Sequence, residues 1–416
     1  MAVGGGFGGI ARAFESRNFR IYWTGNFTHT ITVWVNRMAI AWLTWELTHS
    51  TTWLGVMAAA NMLPTIVLGP IGGVTADRFG HRFQLMTATY VGGVIALLMT
   101  VLVAMDALNV HWLAFLVLIT GIIRSFNVPA RTSLVSNLVE RTYLSSAIGI
   151  NSASFHGGNF IGPVIGGLLI NYFGISWAFF SYAMGEFIAA TSFFLLKLQP
   201  QQRSGKKFRL FRDLVEGFRY TWNHAGILSV LSLTLVTALF VHPYIEMLPA
   251  FVTKVYNMDA EGLAYLTAST GGGAMIGGLW VARRGRMEGL VRIQLATLTT
   301  AYIGIFGFAA STWMPLAMVC LCIGGFSLVA AQTSASTLIQ NAVDPALRAR
   351  VVSLNGVIIV SMPAFGAMAI GWIADFIGVQ TPIMTATGIA IVCLALLARR
   401  TARNATQMEA TDAHRM

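Results

Sequence analysis

Residues 133–155 read SLVSNLVERTYLSSAIGINSASF, and residues 337–359 read TLIQNAVDPALRARVVSLNGVII. The two stretches align without a gap at a constant offset of 204. Asn137 meets Asn341, Val139 meets Val343, Glu140 meets Asp344 and Asn151 meets Asn355. Farther on, Gly167 meets Gly371 and Gly174 meets Gly378. A correspondence of this length marks an internal repeat, so the chain is built from two related halves.

The material around the repeat is apolar. Of 416 residues, 56% are hydrophobic and 10% charged, against roughly 25% charged in soluble domains. Mean hydropathy is +0.67. So few charges would not cover a soluble fold of this size, and the chain reads as an all-α membrane protein. A bilayer core needs about 20 apolar residues per helix. That ruler gives twelve transmembrane helices, at 20–46, 52–76, 83–105, 112–135, 144–171, 174–197, 226–251, 259–283, 290–311, 314–338, 348–374 and 380–399. An even number of spans separates the repeat copies, so both have the same orientation. The expectation is two parallel six-helix halves, the arrangement of a rocking transporter. The first half is 1–197, the linker 198–224, the second half 225–400 and the tail 401–416.

The net charge is +11, and its placement matters more than its size. Counting the N-terminus, the breaks that follow even-numbered spans and the C-terminus together captures 24 of the 27 Lys and Arg residues. The other three are Arg37, Arg124 and Lys254. This positive-inside pattern puts both termini in the cytoplasm. It explains the basic charge better than a nucleic-acid partner does, and no aromatic-studded basic groove is present. The N-terminal segment has no apolar core ahead of a small-residue cleavage site, so the first span is expected to be retained. Cys320, Cys322 and Cys393 have no metal-ligand spacing and read as small apolar positions. The linker contains KKFRLFRDLVEGFRYTW. Phe208, Phe211, Val215, Phe218 and Trp222 recur every three or four residues, with Lys207, Arg209, Arg212 and Arg219 largely on other faces. That pattern describes a basic amphipathic helix suited to an anionic leaflet, or a tether between bundles.

The break between spans two and three reads GGVTADRFGHRF, residues 72–83. Gly73, Asp77, Arg78, Gly80 and Arg82 match G-x-x-x-D-R-x-G-x-R, which resembles the signature cytoplasmic motif of the major facilitator superfamily. The resemblance implies a latch that holds the cytoplasmic side shut by contacting the start of span eleven near Arg348. Gly73 is expected to permit close backbone approach, Asp77 to favour a helix N-terminus, and Arg131 to pair with Asp77. The second half carries a degraded copy, GGLWVARRGR, in which Gly277 aligns with Gly72 and Ala282 stands opposite Asp77. Arg283 and Gly285 survive opposite Arg78 and Gly80. Span five reads GNFIGPVIGG, with Gly158, Gly162, Pro163, Gly166 and Gly167. Small residues every fourth position let helices touch, and Pro163 bends its helix. G-P-x-x-G-G resembles the antiporter motif of drug and proton exchangers, so both a packing and a coupling role stand open. RNFRIYWTGNF, NRMAIAWLTWELTHS, FNVPARTSLVSNLV and IGINSASF with IGPVIGGLLI are similar to the branch that includes bacterial enterobactin exporters. That likeness covers nearly the whole chain and implies a bacterial inner-membrane exporter. It leaves the substrate open among siderophores, macrolides and other amphiphiles.

Ionisable residues inside spans are costly and mark function. Arg37 (span one), Arg124 (span four), His156 (span five), Glu186 (span six) and Glu246 (span seven) are the proton or substrate candidates. Glu186 lies deepest, while Glu246 and Arg37 sit on spans that line the cavity in the resembled fold. Glu46 and Asp375 lie near span ends and call for no special role. Asn36, Asn151, Asn355 and Gln332 are polar enough to bind substrate or to tie helices together. Trp34, Trp42, Trp45 and Trp53 are expected to form an aromatic belt. The expected function is efflux of a small amphiphilic molecule by alternating access, with protons as coupling ion and lipid as surroundings. The protein would be a monomer, without cofactor or enzymatic activity. No nucleotide-binding loop is present to supply ATP drive. A lysophospholipid flippase, an uptake transporter of the same fold and a transport-inactive sensor or scaffold are the alternatives.

Overall fold

The computed structural model describes residues 12–135, 138–140, 143–198, 210–284, 287–345 and 347–409. Regular structure in these residues is helical throughout. Nine of the described helices are long and apolar enough to cross a membrane. They are span two (Thr51–Phe79), three (His81–Ala104), four (Val110–Val135), five (Ser146–Phe173), seven (Ala225–Ile245), nine (Leu290–Ala310), ten (Met314–Ala342), eleven (Arg348–Ile377) and twelve (Gln380–Arg403). Span one (Arg17–Thr48), span six (Ile175–Phe194) and span eight (Ala260–Arg284) complete the twelve, with 32, 20 and 25 residues. Spans one and eight are the more polar helices. Span one carries Arg17, Arg20, Arg37 and Glu46, and span eight carries Glu261, Arg283 and Arg284.

Two spans are interrupted where proline dictates. Span two is a helix Thr51–Met62 followed by a helix Pro64–Phe79, with Pro64 at the first turn, where its missing N–H costs nothing. Span seven is helical over Ala225–Val236. It then widens to a π-helical turn at Thr237–Val241 and tightens to a 3₁₀ turn at His242–Ile245 before resuming at Leu248–Lys254. Pro243 and Pro249 supply no N–H to a regular ladder there. Expected as one unbroken segment, span seven is a discontinuous helix.

The chain divides into two compact units, one of Met1–Leu47 with Ala60–Phe208 and one of Thr48–Ala59 with Arg209–Met416. The first is packed around Phe19, Tyr22, Leu85, Leu134 and Phe193. The second is packed around Ile227, Val230, Leu338, Ile339 and Val351. Outward-facing side chains such as Val67, Tyr172, Val392 and Leu396 are exposed and apolar, as a lipid solvent requires.

The repeat pairs perform the same local task in each half. Gly174 and Gly378 both have positive φ, +90° and +83°, and each ends a long helix by donating its N–H to the carbonyl four residues back, Ile170 or Ala374. Only glycine adopts that conformation without strain. A Cβ on Gly72 would lie 2.4 Å from the Ser125 carbonyl oxygen on span four, and one on Gly277 would lie 2.3 Å from the Phe326 carbonyl oxygen on span ten. Both positions therefore set backbone contact between an even-numbered span and the next even-numbered one.

Elsewhere the structure revises the expectations. Close approach falls on Gly72; a Cβ on Gly73 would meet open space. Trp42 and Trp45 are buried rather than set in an interfacial belt, and Trp42 donates to Glu46 Oε1 at 2.7 Å. The three cysteines are free and half-buried. In the tail, Met408 is fully buried, and Glu409 accepts from Gly289 N at 2.7 Å and Val291 N at 2.8 Å, capping span nine. The linker helix spans Leu210–Asn223. Glu216 pairs with Arg350, while Val215, Phe218 and Trp222 remain exposed. Lys207, Phe208 and Arg209 of the expected amphipathic helix lie outside the described residues, as do Asn137 of the repeat and Gly285 of the degraded motif.

Candidate functional site

A buried polar cluster lies in the first unit, and two glycines position it. A Cβ on Gly25 of span one would fall 1.9 Å from Ser192 Oγ on span six, and one on Gly185 of span six would fall 2.0 Å from Thr32 Oγ1 on span one. Absence of side chains at these points lets the two helices touch. One turn after Gly25 comes His29, and next to Gly185 comes Glu186. The approach places His29 Nδ1 3.2 Å from Glu186 Oε1.

Arg131 of span four closes the group. It donates from Nη2 to His29 Nε2 at 2.7 Å, from Nη1 to Asn26 Oδ1 at 2.9 Å and from Nε to Asn127 Oδ1 at 3.2 Å. A guanidinium only donates, so Nε2 of His29 accepts and the imidazole proton sits on Nδ1, facing Glu186. Glu186 is 2% exposed, His29 8% and Asn26 5%. The cluster thus holds one positive and one negative charge with an imidazole between them. Removing either charge would leave the other buried alone, at a cost of several kcal/mol. Glu186 Oε2 has no hydrogen-bond partner among the described residues. Tyr182, one turn back on span six, lies beside the same carboxylate, and Gly92 of span three leaves the Glu186 carboxyl carbon 3.5 Å from where a Cβ would be.

This geometry corrects the expected partner of Asp77. Arg131 is turned into the bundle by Asn127, one turn earlier on the same helix, and the Asp77 carboxylate has His81 Nε2 at 3.8 Å instead. The rest of the loop motif ties helices together within the unit. Gly80, at φ +97°, ends span two through an N–H to Ala76 O bond of 2.9 Å. Arg82 donates from Nε to Phe193 O at 3.0 Å and from its other end to Phe194 O, at the C-terminus of span six, where a cation is favoured. Buried Gln84 bonds both Gly72 O at 2.7 Å and Phe126 O at 2.9 Å. Arg78 stacks over Phe79 at 5.6 Å and is exposed.

The span-five glycines face span one. Cβ atoms on Gly158, Gly162 and Gly166 would come within 2.7 Å of Thr30 Cγ2, 2.5 Å of Trp34 Cβ and 3.2 Å of Met38 Sδ. Gly167 and Pro163 are buried beside them. The stripe packs span five against span one.

The remaining candidates are scattered. Arg124 is exposed and donates to Asn61 Oδ1 at 3.2 Å. Arg37 lies 5.2 Å from the Trp34 ring centroid. His156 is half-buried on span five, with Phe155 at 5.6 Å. Asn151 accepts from Asn26 Nδ2 at 3.4 Å, at the edge of the cluster. Glu246 follows the broken turn of span seven and is half-buried. In the second unit, Thr234, Thr237, His242, Gln294 and Gln332, together with Leu298, Leu328, Ala331 and Ala335, line a small, mostly apolar hollow beside the π-helical turn. Gln294 is 1% exposed, and its Oε1 is without a partner among the described residues. Asp375 also has a definite task. Oδ1 accepts from Thr51 N and Thr51 Oγ1, both at 2.7 Å, and Oδ2 from Ser50 Oγ at 2.6 Å and Thr52 N at 3.0 Å. It is the N-terminal cap of span two.

Sequence reading missed His29, Asn26 and Asn127. A signal existed: Asn26 and His29 are three apart, and Asn127 and Arg131 four apart, so each pair shares a helical face inside a span.

Residues 10–416 match a family model described as a transmembrane secretion effector. Macrolide efflux protein A of Streptococcus pyogenes is 23% identical over 385 residues, covering 91% of this chain and 94% of that protein. The Enterobactin exporter EntS of Shigella flexneri is 26% identical over 410 residues, covering 95% of each. Among solved structures, a bacterial homologue of the human lysosomal transporter Spinster, inward-facing and unoccupied, superimposes with TM-score 0.70 at 14% identity. It covers 94% of this chain and 98% of that one. The nucleoside transporter NupG gives 0.67 at 10% identity, covering 92% and 99%.

Proposed function

Because the chain belongs to the transmembrane secretion effector family of major facilitator transporters, we propose that it exports a small amphiphilic molecule in exchange for protons. It is a multi-span membrane transporter and not an enzyme, and its relatives by sequence are efflux proteins. The coupling ion and the cycle are the inferred part. The observation that carries them is the buried group of Glu186, His29 and Arg131.

In the proposed cycle a proton enters at Glu186 Oε2. Neutral Glu186 no longer balances Arg131, whose remaining partners are the amide oxygens of Asn26 and Asn127 and the imidazole. These groups lie on spans one, four and six, so the proton alters the attraction among three helices at once. A bistable bundle converts such a change into alternating access. Substrate leaves on the outward-open limb, and the proton is released to the cytoplasm on the return. The basic loops support an orientation with both termini in the cytoplasm of a bacterium, and the protein works as a monomer in the inner membrane.

The test is accumulation of a macrolide and of a catecholate siderophore in cells lacking their own exporters. Expression of the wild-type chain is expected to lower accumulation of at least one of them several-fold, and an uncoupler to abolish the effect. Increased accumulation would assign uptake instead, and no change with any probe would remove the export reading.

A further inference from the structure

The C-terminal end of span twelve borders an arginine-lined cleft in the second unit. A cleft of about 460 Å³ is lined by Ala225, Leu396, Arg399, Arg400, Arg403 and Asn404. Three guanidinium groups thus share one concavity. None of them pairs with a carboxylate among the described residues. Ala225 is the first residue of the span-seven helix, whose positive end opens at the cleft. Asn404 is held there by its own bond to the Arg400 carbonyl at 3.0 Å.

What lies along the helix identifies the occupant. Ile389, Val392 and Leu396 are 48%, 59% and 73% exposed, and their spacing of three and four residues puts them on one stripe. The same stripe continues as Arg399, Arg400 and Arg403. One helical face therefore changes from aliphatic to guanidinium within a single turn. At a rise of about 1.5 Å per residue, the aliphatic part is about 10 Å long and the cationic part begins where it ends. Arginines placed only to fix topology would extend into water. These line a cleft at the head of a lipid-facing stripe.

The geometry points to a resident anionic phospholipid. Its acyl chain would lie along Ile389, Val392 and Leu396, and its phosphodiester would sit among Arg399, Arg400 and Arg403. Guanidinium groups match phosphate oxygens in pairs. A zwitterionic headgroup would bring its ammonium into the same positive cleft. A headgroup with two phosphates makes fuller use of three arginines than one with a single phosphate.

Purified full-length protein in mild detergent is titrated with cardiolipin, phosphatidylglycerol, phosphatidylcholine and inorganic phosphate. Thermal unfolding and native mass spectrometry supply the readouts. Cardiolipin and phosphatidylglycerol are expected to raise the unfolding temperature by several degrees and to remain bound in the gas phase, cardiolipin at the lower concentration. Phosphatidylcholine and inorganic phosphate are expected to do neither. The R399Q/R400Q/R403Q variant should need at least ten-fold more cardiolipin for the same shift. R403Q alone, which is milder for folding, should need a few-fold more, and R17Q/R20Q should match wild type. Equal stabilisation by phosphatidylcholine would overturn the proposal, as would stabilisation by inorganic phosphate alone. So would undiminished cardiolipin binding in R403Q and the triple variant.

Discussion

At the scale of the residue, the account rests on Glu186 and what neutralises it. Arg131→Met removes the positive charge and leaves a buried carboxylate beside only the neutral side chains of His29 and Tyr182. The expected loss is about 3 kcal/mol, read as a lowered midpoint of thermal unfolding in detergent. Adding Glu186→Gln to that variant should recover much of the loss, because the orphaned charge goes too. A simple sum of the two single effects would show that the residues do not interact. Glu186 was legible in the sequence, since an acid amid apolar residues stands out. His29 was not, because a lone histidine on a span reads as packing until its neighbours are known. Arg131 was seen but assigned to Asp77 on the strength of nearness to the loop. Asn127, one turn away on the same face, is what turns it inward.

At the scale of the element, small residues decide which helices meet. Gly162→Val would drive a branched side chain into Trp34 Cβ and the Ile31 carbonyl, at 2.5 and 2.8 Å from a Cβ alone. It is expected to lower both the yield of folded protein and its unfolding temperature, whereas Gly73→Ala, in open space, should leave both near wild type. That contrast tests the reassignment of close contact from Gly73 to Gly72. Helix ends supply a further prediction. Asp375→Ala removes the acceptor for two backbone N–H groups and two hydroxyls at the start of span two, and about 1–2 kcal/mol of stability should go with it. The glycine stripe of span five and the turn glycines at 174 and 378 were readable from spacing and repeat alone. The cap at Asp375 was not, because its partners at Ser50, Thr51 and Thr52 are more than 300 positions away in the chain. Nor was the break in span seven, where two prolines inside an apolar run replace a regular helix with a π-helical and a 3₁₀ turn.

At the scale of the whole molecule, composition, the twelve apolar runs and the repeat were enough to give the fold class, and the family match agrees with them. Two halves of one ancestry have kept the same helix contacts at Gly72 and Gly277 and the same helix stops at Gly174 and Gly378. They have not kept the same charges: the Glu186 cluster and Asp77 belong to the first half. The proposed proton chemistry therefore falls in one half only. The direct measurement is proton movement in liposomes containing the purified protein and a trapped pH-sensitive dye, after addition of a macrolide to one side. Wild type is predicted to move protons only when the macrolide is present, and Glu186→Gln to bind the macrolide yet move none. Proton movement at the wild-type rate in Glu186→Gln, or macrolide transport by wild type that ignores the pH gradient, would contradict the account.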